Sequence, residues 1–162
     1  MMSPKRILIS NRGEIAIRIA KAIQELGHVP IGLYTEYESS AYHLEFCSEH
    51  ILLKGTTNRE TYLNIPQILN ICLEHKIEAV HPGYGFLAEN MQFATELQNK
   101  GITFIGPNPH AIDAMGDKAK SKQLAMKAGV PVVPGSTGEV GTISEALEIA
   151  KNISYPILLK VS

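Results

Sequence analysis

The chain has 162 residues, 44% of them hydrophobic and 19% charged, with a formal net charge of -1. That length suits one good core or two small lobes. A charge so near zero gives no reason to expect nucleic acid or an anionic membrane as partner, and no apolar run is long enough to cross a bilayer.

The opening stretch MMSPKRILIS carries the basic pair Lys5 and Arg6, but its apolar part is too short for a signal peptide, so a cytoplasmic protein is expected. Within it, RILIS reads as a compact strand. GEIAIRIAKAIQEL follows with Ile15, Ile19, Ala22, Ile23 and Leu26 at helical spacing, and Gly27 stands where a helix stops. VPIGLYT is a second strand, AYHLEFCSE a short helix and HILLK a short strand. YLNIPQILNICLEHK has helical periodicity, with Pro66 tolerable only near the first turn. EAVHP is a strand ending in a glycine turn, AENMQFATELQNK a helix closed by Gly101, and ITFIG another buried strand. Short apolar strands separated by helices predict a parallel sheet covered on both faces. Cys47 and Cys72 lack C-x-x-C spacing and read as reduced, buried thiols.

From about Pro107 the character changes. A short helix breaks at Gly116, a lysine-rich helix follows, and then comes the Gly/Pro-rich passage AGVPVVPG. TISEALEIAKN is a helix whose Thr142 and Glu145 have capping-box spacing. PILLK reads as a last buried strand. The predicted boundary therefore lies between Pro107 and Gly116, giving domains 1–113 and 114–162, the second incomplete because so few strands cannot close a sheet.

Three stretches could carry chemistry. ILISNRGEIA is strand, turn and helix, but a dinucleotide site asks for G-x-G-x-x-G and only Gly13 is present, with Glu14 placing a negative charge at the phosphate position. A tight strand-to-helix turn is the favoured reading. On that helix Arg18, Lys21 and Glu25 share a face opposite the apolar stripe, which suits solvent or, alternatively, another subunit. HPGYGFLAEN follows a strand and so lies at the carboxyl edge of the sheet, where open α/β folds place ligands. Gly83 and Gly85 flank Tyr84, and Glu89 is expected to begin the next helix. A capped turn with His81 merely hydrogen-bonded and a surface-facing site remain equal readings. In MGDKAKSKQLAMKAGVP, Lys118 sits in a first helical turn, which disfavours a cation unless an anion is near, while Lys120, Lys122 and Lys127 are more simply solvated. Lys160 is the one charge in its apolar run. The two odd lysines suggest a shared anion such as a polyphosphate.

Together SNRGEIAIRI, HPGYGFLAEN, FIGP and MGDK…AGVPVVPG resemble, in order and along essentially the whole chain, the amino-terminal part of biotin carboxylase, the ATP-grasp component of acetyl-CoA carboxylase (of fatty acid biosynthesis) and its relatives. The resemblance implies a Rossmann-like pre-ATP-grasp domain and then the start of an ATP-grasp region. It implies an ATP-dependent ligase that carboxylates biotin on a carrier protein or domain, using bicarbonate by way of carboxyphosphate, with magnesium or manganese offsetting phosphate charge. It implies that Lys118 and Lys160 meet the ATP phosphates, that Tyr84, Gly85 and Glu89 line the biotin side of the cleft, and that Arg18, Lys21 and Glu25 make homodimer contacts. By the family pattern the glycine-rich loop, the metal ligands and the catalytic residues follow residue 162. No catalytic or metal-binding residue is assigned here, and the chain alone is expected to be inactive. The alternatives are the same module from a pyruvate or propionyl-CoA carboxylase, a free-standing nucleotide-binding module, or a non-catalytic association domain. The missing glycines argue against the nucleotide module, and the two lysines against the association domain.

Overall fold

The computed structural model describes residues 3–116, 118–136 and 138–159, the side chains of residues 118–120 excepted. The chain falls into two compact units, residues 1–112 and 113–162.

The first unit is built on five strands, β1 (Arg6–Ile9), β2 (Val29–Tyr34), β3 (Glu49–Leu52), β4 (Ala79–His81) and β5 (Thr103–Phe104), in the order β3-β2-β1-β4-β5. All four pairings are parallel. Three helices belong wholly to it: α1 (Gly13–Glu25), α2 (Ile65–Glu74) and α3 (Met91–Asn99).

Alternation along β1 sets the layering, because successive strand side chains point to opposite faces. Ile7 and Ile9 pack with Ala16, Ile19, Ala20 and Ile23 of α1. Leu8 packs with Ile31, Leu33 and Val80 from the sheet, Ile68 of α2, and Phe93 and Leu97 of α3. Both faces of the sheet are thus covered, as the continuous apolar strands predict. Pro66 stands in the first turn of α2, where its missing N–H costs nothing.

Several elements differ from the sequence reading. The residues after β2 form two short 3-10 turns, Glu36–Glu38 and Tyr42–Phe46, rather than one α-helix. ITFIG yields only two strand residues, at an edge position and with Thr103 exposed, while Ile102 is buried and Phe104 and Ile105 pack against the core. Glu89 does not begin α3: Asn90 is the N-cap, its side chain accepting from the Phe93 amide at 2.8 Å. An amide oxygen can take that bond from the cap position itself, so the helix starts at Met91, two residues later than the carboxylate suggested.

The second unit carries the end of α4 (Pro109–Gly116), then α5 (Lys118–Lys127) and α6 (Ile143–Ile153). Thr142 caps α6 by accepting from the Glu145 amide at 3.2 Å, and the Glu145 carboxylate takes the Gly141 amide rather than that of Thr142. Residues 157–159 form no strand, against expectation: Leu158 and Leu159 are 79% and 80% exposed. A strand exists only through its ladder, and no neighbour pairs with these residues among those described.

Candidate functional site

β1 and β4 are neighbours in register, with Ile9 opposite His81. Parallel pairing brings their carboxyl ends to one edge, so the turn at residues 10–12 and the loop at 82–90 emerge side by side. The Ser10 amide donates to the His81 carbonyl at 2.9 Å, the last rung of that ladder.

The turn then grips the loop. Asn11, 4% exposed, donates through Nδ2 to the carbonyls of Pro82 (2.7 Å) and Tyr84 (2.8 Å). Gly83 lies between them at φ +65°, and a Cβ there would stand 2.8 Å from Asn11 Nδ2. Glycine is required at this point by both backbone conformation and space. The Gly83 amide donates to His81 Nδ1 at 3.1 Å, which fixes that nitrogen as the acceptor, and burial lowers the pKa of the ring. Tyr84 is 60% exposed, and its hydroxyl donates to Glu14 at the start of α1; this bond, ahead of burial and charge, raises the pKa of the phenol.

Arg12 makes the second hold. Its Nη1 lies 2.5 Å from Glu38 Oε1, and its guanidinium carbon is 5.2 Å from the Tyr62 ring centroid and 5.4 Å from that of Phe86. The two rings are stacked on each other, 4.9 Å between centroids and 14° between planes. Glu38 Oε2 accepts from the Thr35 amide (3.1 Å), the Thr35 hydroxyl (2.9 Å) and the Tyr62 hydroxyl (2.9 Å). Burial alone would raise the Glu38 carboxyl, but the hydrogen bonds from Arg12, Thr35 and Tyr62 outweigh it and hold the pKa below the ordinary value. Burial, with the bond to Glu38 after it, pushes the Tyr62 phenol well up. A shallow cleft of about 470 Å³ opens beside this cluster, lined by Arg12, Gly13, Glu14, Glu38 and Tyr42 among others.

The structure therefore places Tyr84 and Gly85 on an exposed loop held from below, with Gly85 at φ +69° and open space where a Cβ would point. Glu89 is exposed in the turn before α3. Arg18, Lys21 and Glu25 all lie exposed on α1, and the Lys21 ammonium sits 4.9 Å from the Phe46 ring centroid. Lys118 lies in α5, but its side chain lies outside what is described, and Lys160 falls outside the described residues. Lys122 is not simply solvated: its ammonium donates to the Ser136 carbonyl at 3.0 Å. Cys47 and Cys72 are free thiols, pushed up by burial to about 11 and about 12. Among the described residues no group of three His, Cys, Asp or Glu is placed to hold a metal ion. The sequence reading missed Asn11, Arg12, Glu38 and Tyr62. The only local signal was two polar residues, Asn11 and Arg12, at a strand end that otherwise leads straight into a helix.

Comparison with known proteins gives the context. The family described as biotin carboxylase, N-terminal domain, matches residues 3–112, and the carbamoyl-phosphate synthase L chain ATP-binding domain matches residues 117–162. The small subunit of 2-oxoglutarate carboxylase from Hydrogenobacter thermophilus is 50% identical over 158 residues, 98% of this chain and 33% of that protein. Biotin carboxylase from Nostoc is 45% identical over 157 residues, 97% of this chain and 35% of that protein. The chain thus spans about a third of the length of these relatives. The solved biotin carboxylase domain dimer of the Hydrogenobacter thermophilus enzyme, in complex with MgADP, ADP and bicarbonate, superposes with a TM-score of 0.85 at 48% identity, covering 96% of this chain and 34% of that one. A β,γ-ATP complex of biotin carboxylase from Campylobacter jejuni gives 0.84 at 42% identity, covering 94% and 34%.

Proposed function

Since this chain belongs to the biotin carboxylase family, we propose that it forms the amino-terminal part of an ATP-dependent ligase that carboxylates carrier-bound biotin with bicarbonate. The observation that supports this most is the match of two successive families in order along the chain, over a fold whose glycine loop stands at the carboxyl edge of a parallel sheet. We read residues 1–113 as the pre-ATP-grasp domain and 114–162 as the beginning of the ATP-grasp domain.

Tyr84 and Gly85 fit the biotin side of the cleft. Their loop is exposed, yet fixed by Asn11 and Glu14, so it can present a shaped surface without ordering itself on binding. Glu89 adds a carboxylate to the same loop. Lys118 and Lys160 are assigned to the ATP phosphates. Both lie in the residues that match the carbamoyl-phosphate synthase L chain ATP-binding domain. A bound divalent cation would offset phosphate charge, and its ligands are assigned to the part of the protein beyond this chain. Arg18, Lys21 and Glu25, exposed along one helix, are assigned to a homodimer contact, and a biotin carboxyl carrier protein or domain is the proposed partner. The similar proteins carry names with different carboxyl acceptors, so we place the choice of acceptor outside this module.

The test is ATP turnover by the full-length protein, which should require both bicarbonate and biotin. Lys118→Ala and Lys160→Ala should each raise KM for ATP far more than KM for bicarbonate. A hydrogen bond to a charged group contributes on the order of 1.5–3 kcal/mol. At about 1.4 kcal/mol per tenfold, the expected loss is roughly ten- to a hundredfold. Lys120→Ala is the control and should change little. An unaffected ATP KM in both lysine variants would remove the assignment.

A further inference from the structure

We propose that Arg12 is a positioning residue for the biotin-side loop, acting through Phe86, with Glu38 and Tyr62 as its mount. The inference rests on the reading of Tyr84 and Gly85 as biotin-side residues. Three observations converge on it.

The first is that the loop is strained where Arg12 touches it. Phe86 holds φ +35°, a region that a residue with a bulky side chain enters only when its surroundings over-determine it. Its ring is held, stacked on Tyr62 and with the Arg12 guanidinium carbon 5.4 Å from its centroid.

The second is that the mount is rigid. Tyr62 is fully buried, and its hydroxyl donates to the Glu38 carboxylate that pairs with Arg12. Glu38 is in turn held by both the amide and hydroxyl of Thr35. Each group therefore restricts the others, and the guanidinium is drawn to the carboxylate beside the two rings.

The third is that Arg12 and Asn11 are consecutive. Asn11 fixes the Pro82 and Tyr84 carbonyls, and Arg12 fixes the ring of Phe86. Gly85 lies between these two holds at φ +69° and has no side chain of its own to anchor it. Its carbonyl accepts from the Ala88 amide at 2.8 Å, and beyond that bond its position depends on the residues on either side, one of which, Phe86, is held by Arg12. Arginine suits this place, because it is always charged, pairs with the Glu38 carboxylate through Nη1 and keeps its guanidinium carbon within cation–π reach of both rings.

The experiment uses the full-length protein with free biotin as substrate. Arg12→Gln should raise KM for biotin about five- to twentyfold while KM for ATP stays within about twofold. Arg12→Lys keeps the charge but loses the guanidinium that reaches the carboxylate and both rings at once, and should recover less than half of that loss on a logarithmic scale. Phe86→Leu should show the same split, and Arg12→Gln combined with Phe86→Leu should be no worse than the more severe single variant, since both act through one contact. Amide hydrogen exchange reads the same point without catalysis: residues 83–86 should exchange at least about tenfold faster in Arg12→Gln, while amides of β1 and α1 keep their protection and report an intact fold. Equal rises in both KM values, additive losses in the double variant, or unchanged exchange at residues 83–86 would overturn the proposal. If the unsubstituted protein shows no biotin- and bicarbonate-dependent ATP turnover, the functional reading fails by itself, and faster exchange in Arg12→Gln would still separate it from the positioning role.

Discussion

Glu38 shows how one side chain ties stability, pH and the loop together. Its carboxylate has four hydrogen-bonding partners' atoms around it, from Arg12, Thr35 and Tyr62, and its pKa lies below the ordinary range. A carboxyl depressed in the folded state holds its proton less readily there than in the unfolded chain. Its stabilisation is therefore fully present above the unfolded value, about 4.3, and is lost as pH falls through the lower folded value. Glu38→Gln should lower stability at pH 7 and flatten the acid limb between about pH 5 and 3, because the variant has no carboxylate to protonate. Denaturant titrations at several pH values check this, and parallel acid limbs in the two proteins would count against it. Gly83 makes a sharper case. Ala there must take a positive φ and crowd Asn11 Nδ2, so Gly83→Ala should cost about 1–3 kcal/mol and displace Tyr84. Residues of this kind were half legible in the sequence. The spacing of Gly83, Tyr84 and Gly85 marked a loop with unusual backbone, and its place after a strand marked the ligand edge. Glu38 and Tyr62 were not legible, because their partner Arg12 is 26 residues from Glu38 and only the sheet order brings them together.

At the level of elements, periodicity served well where a helix packs on the sheet. α1, α2 and α3 each bury an apolar stripe, and Ile19, Ile23, Leu69, Phe93 and Leu97 are in the core. Strand edges and helix ends were harder, since they depend on hydrogen-bond partners elsewhere in the chain. ITFIG has the composition of a buried strand, yet β5 is an edge with a neighbour on one side only. PILLK has the same composition, and its described part pairs with no other strand. The start of α3 turned on which of two adjacent residues caps it. Asn90 takes that role through its bond from the Phe93 amide. Asn90→Ala should therefore cost about 0.5–2 kcal/mol, whereas Glu89→Ala should cost far less, because Glu89 stands outside the helix. Chemical denaturation of the two variants separates them. A larger loss for Glu89→Ala would restore the carboxylate as the helix-starting group. The outcome matters for the site as well, because the cap fixes the far end of the loop that begins at Pro82.

For the whole molecule, the distribution of buried residues divides the chain unequally. Two core clusters line the faces of the parallel sheet in the first unit. Among the described residues after Ile112, only Ala150 is a buried hydrophobic, while Leu124, Met126, Ile143 and Leu147 are exposed. The change in sequence character after Pro107 signalled this, since two or three helices and one apolar run supply no sheet of their own. Helices that bury so little rest mainly on their own backbone hydrogen bonds, and an isolated helix of 11 residues, the length of α6, is marginal in water. In native-state hydrogen exchange of the 162-residue chain, amides of β1, β2 and β4 should open only with global unfolding. Those of α5 and α6 should exchange through local opening, at least about a hundredfold faster, which corresponds to roughly 3 kcal/mol. The exposed apolar residues of α6 give the complementary expectation. In the full-length protein, burial of Ile143 and Leu147 against the rest of an ATP-grasp domain should raise the protection of α6, while that of β1 stays where it was. Equal protection of both units in the 162-residue chain would show that α5 and α6 already have the packing they need, and that the boundary proposed at residue 113 separates nothing energetically.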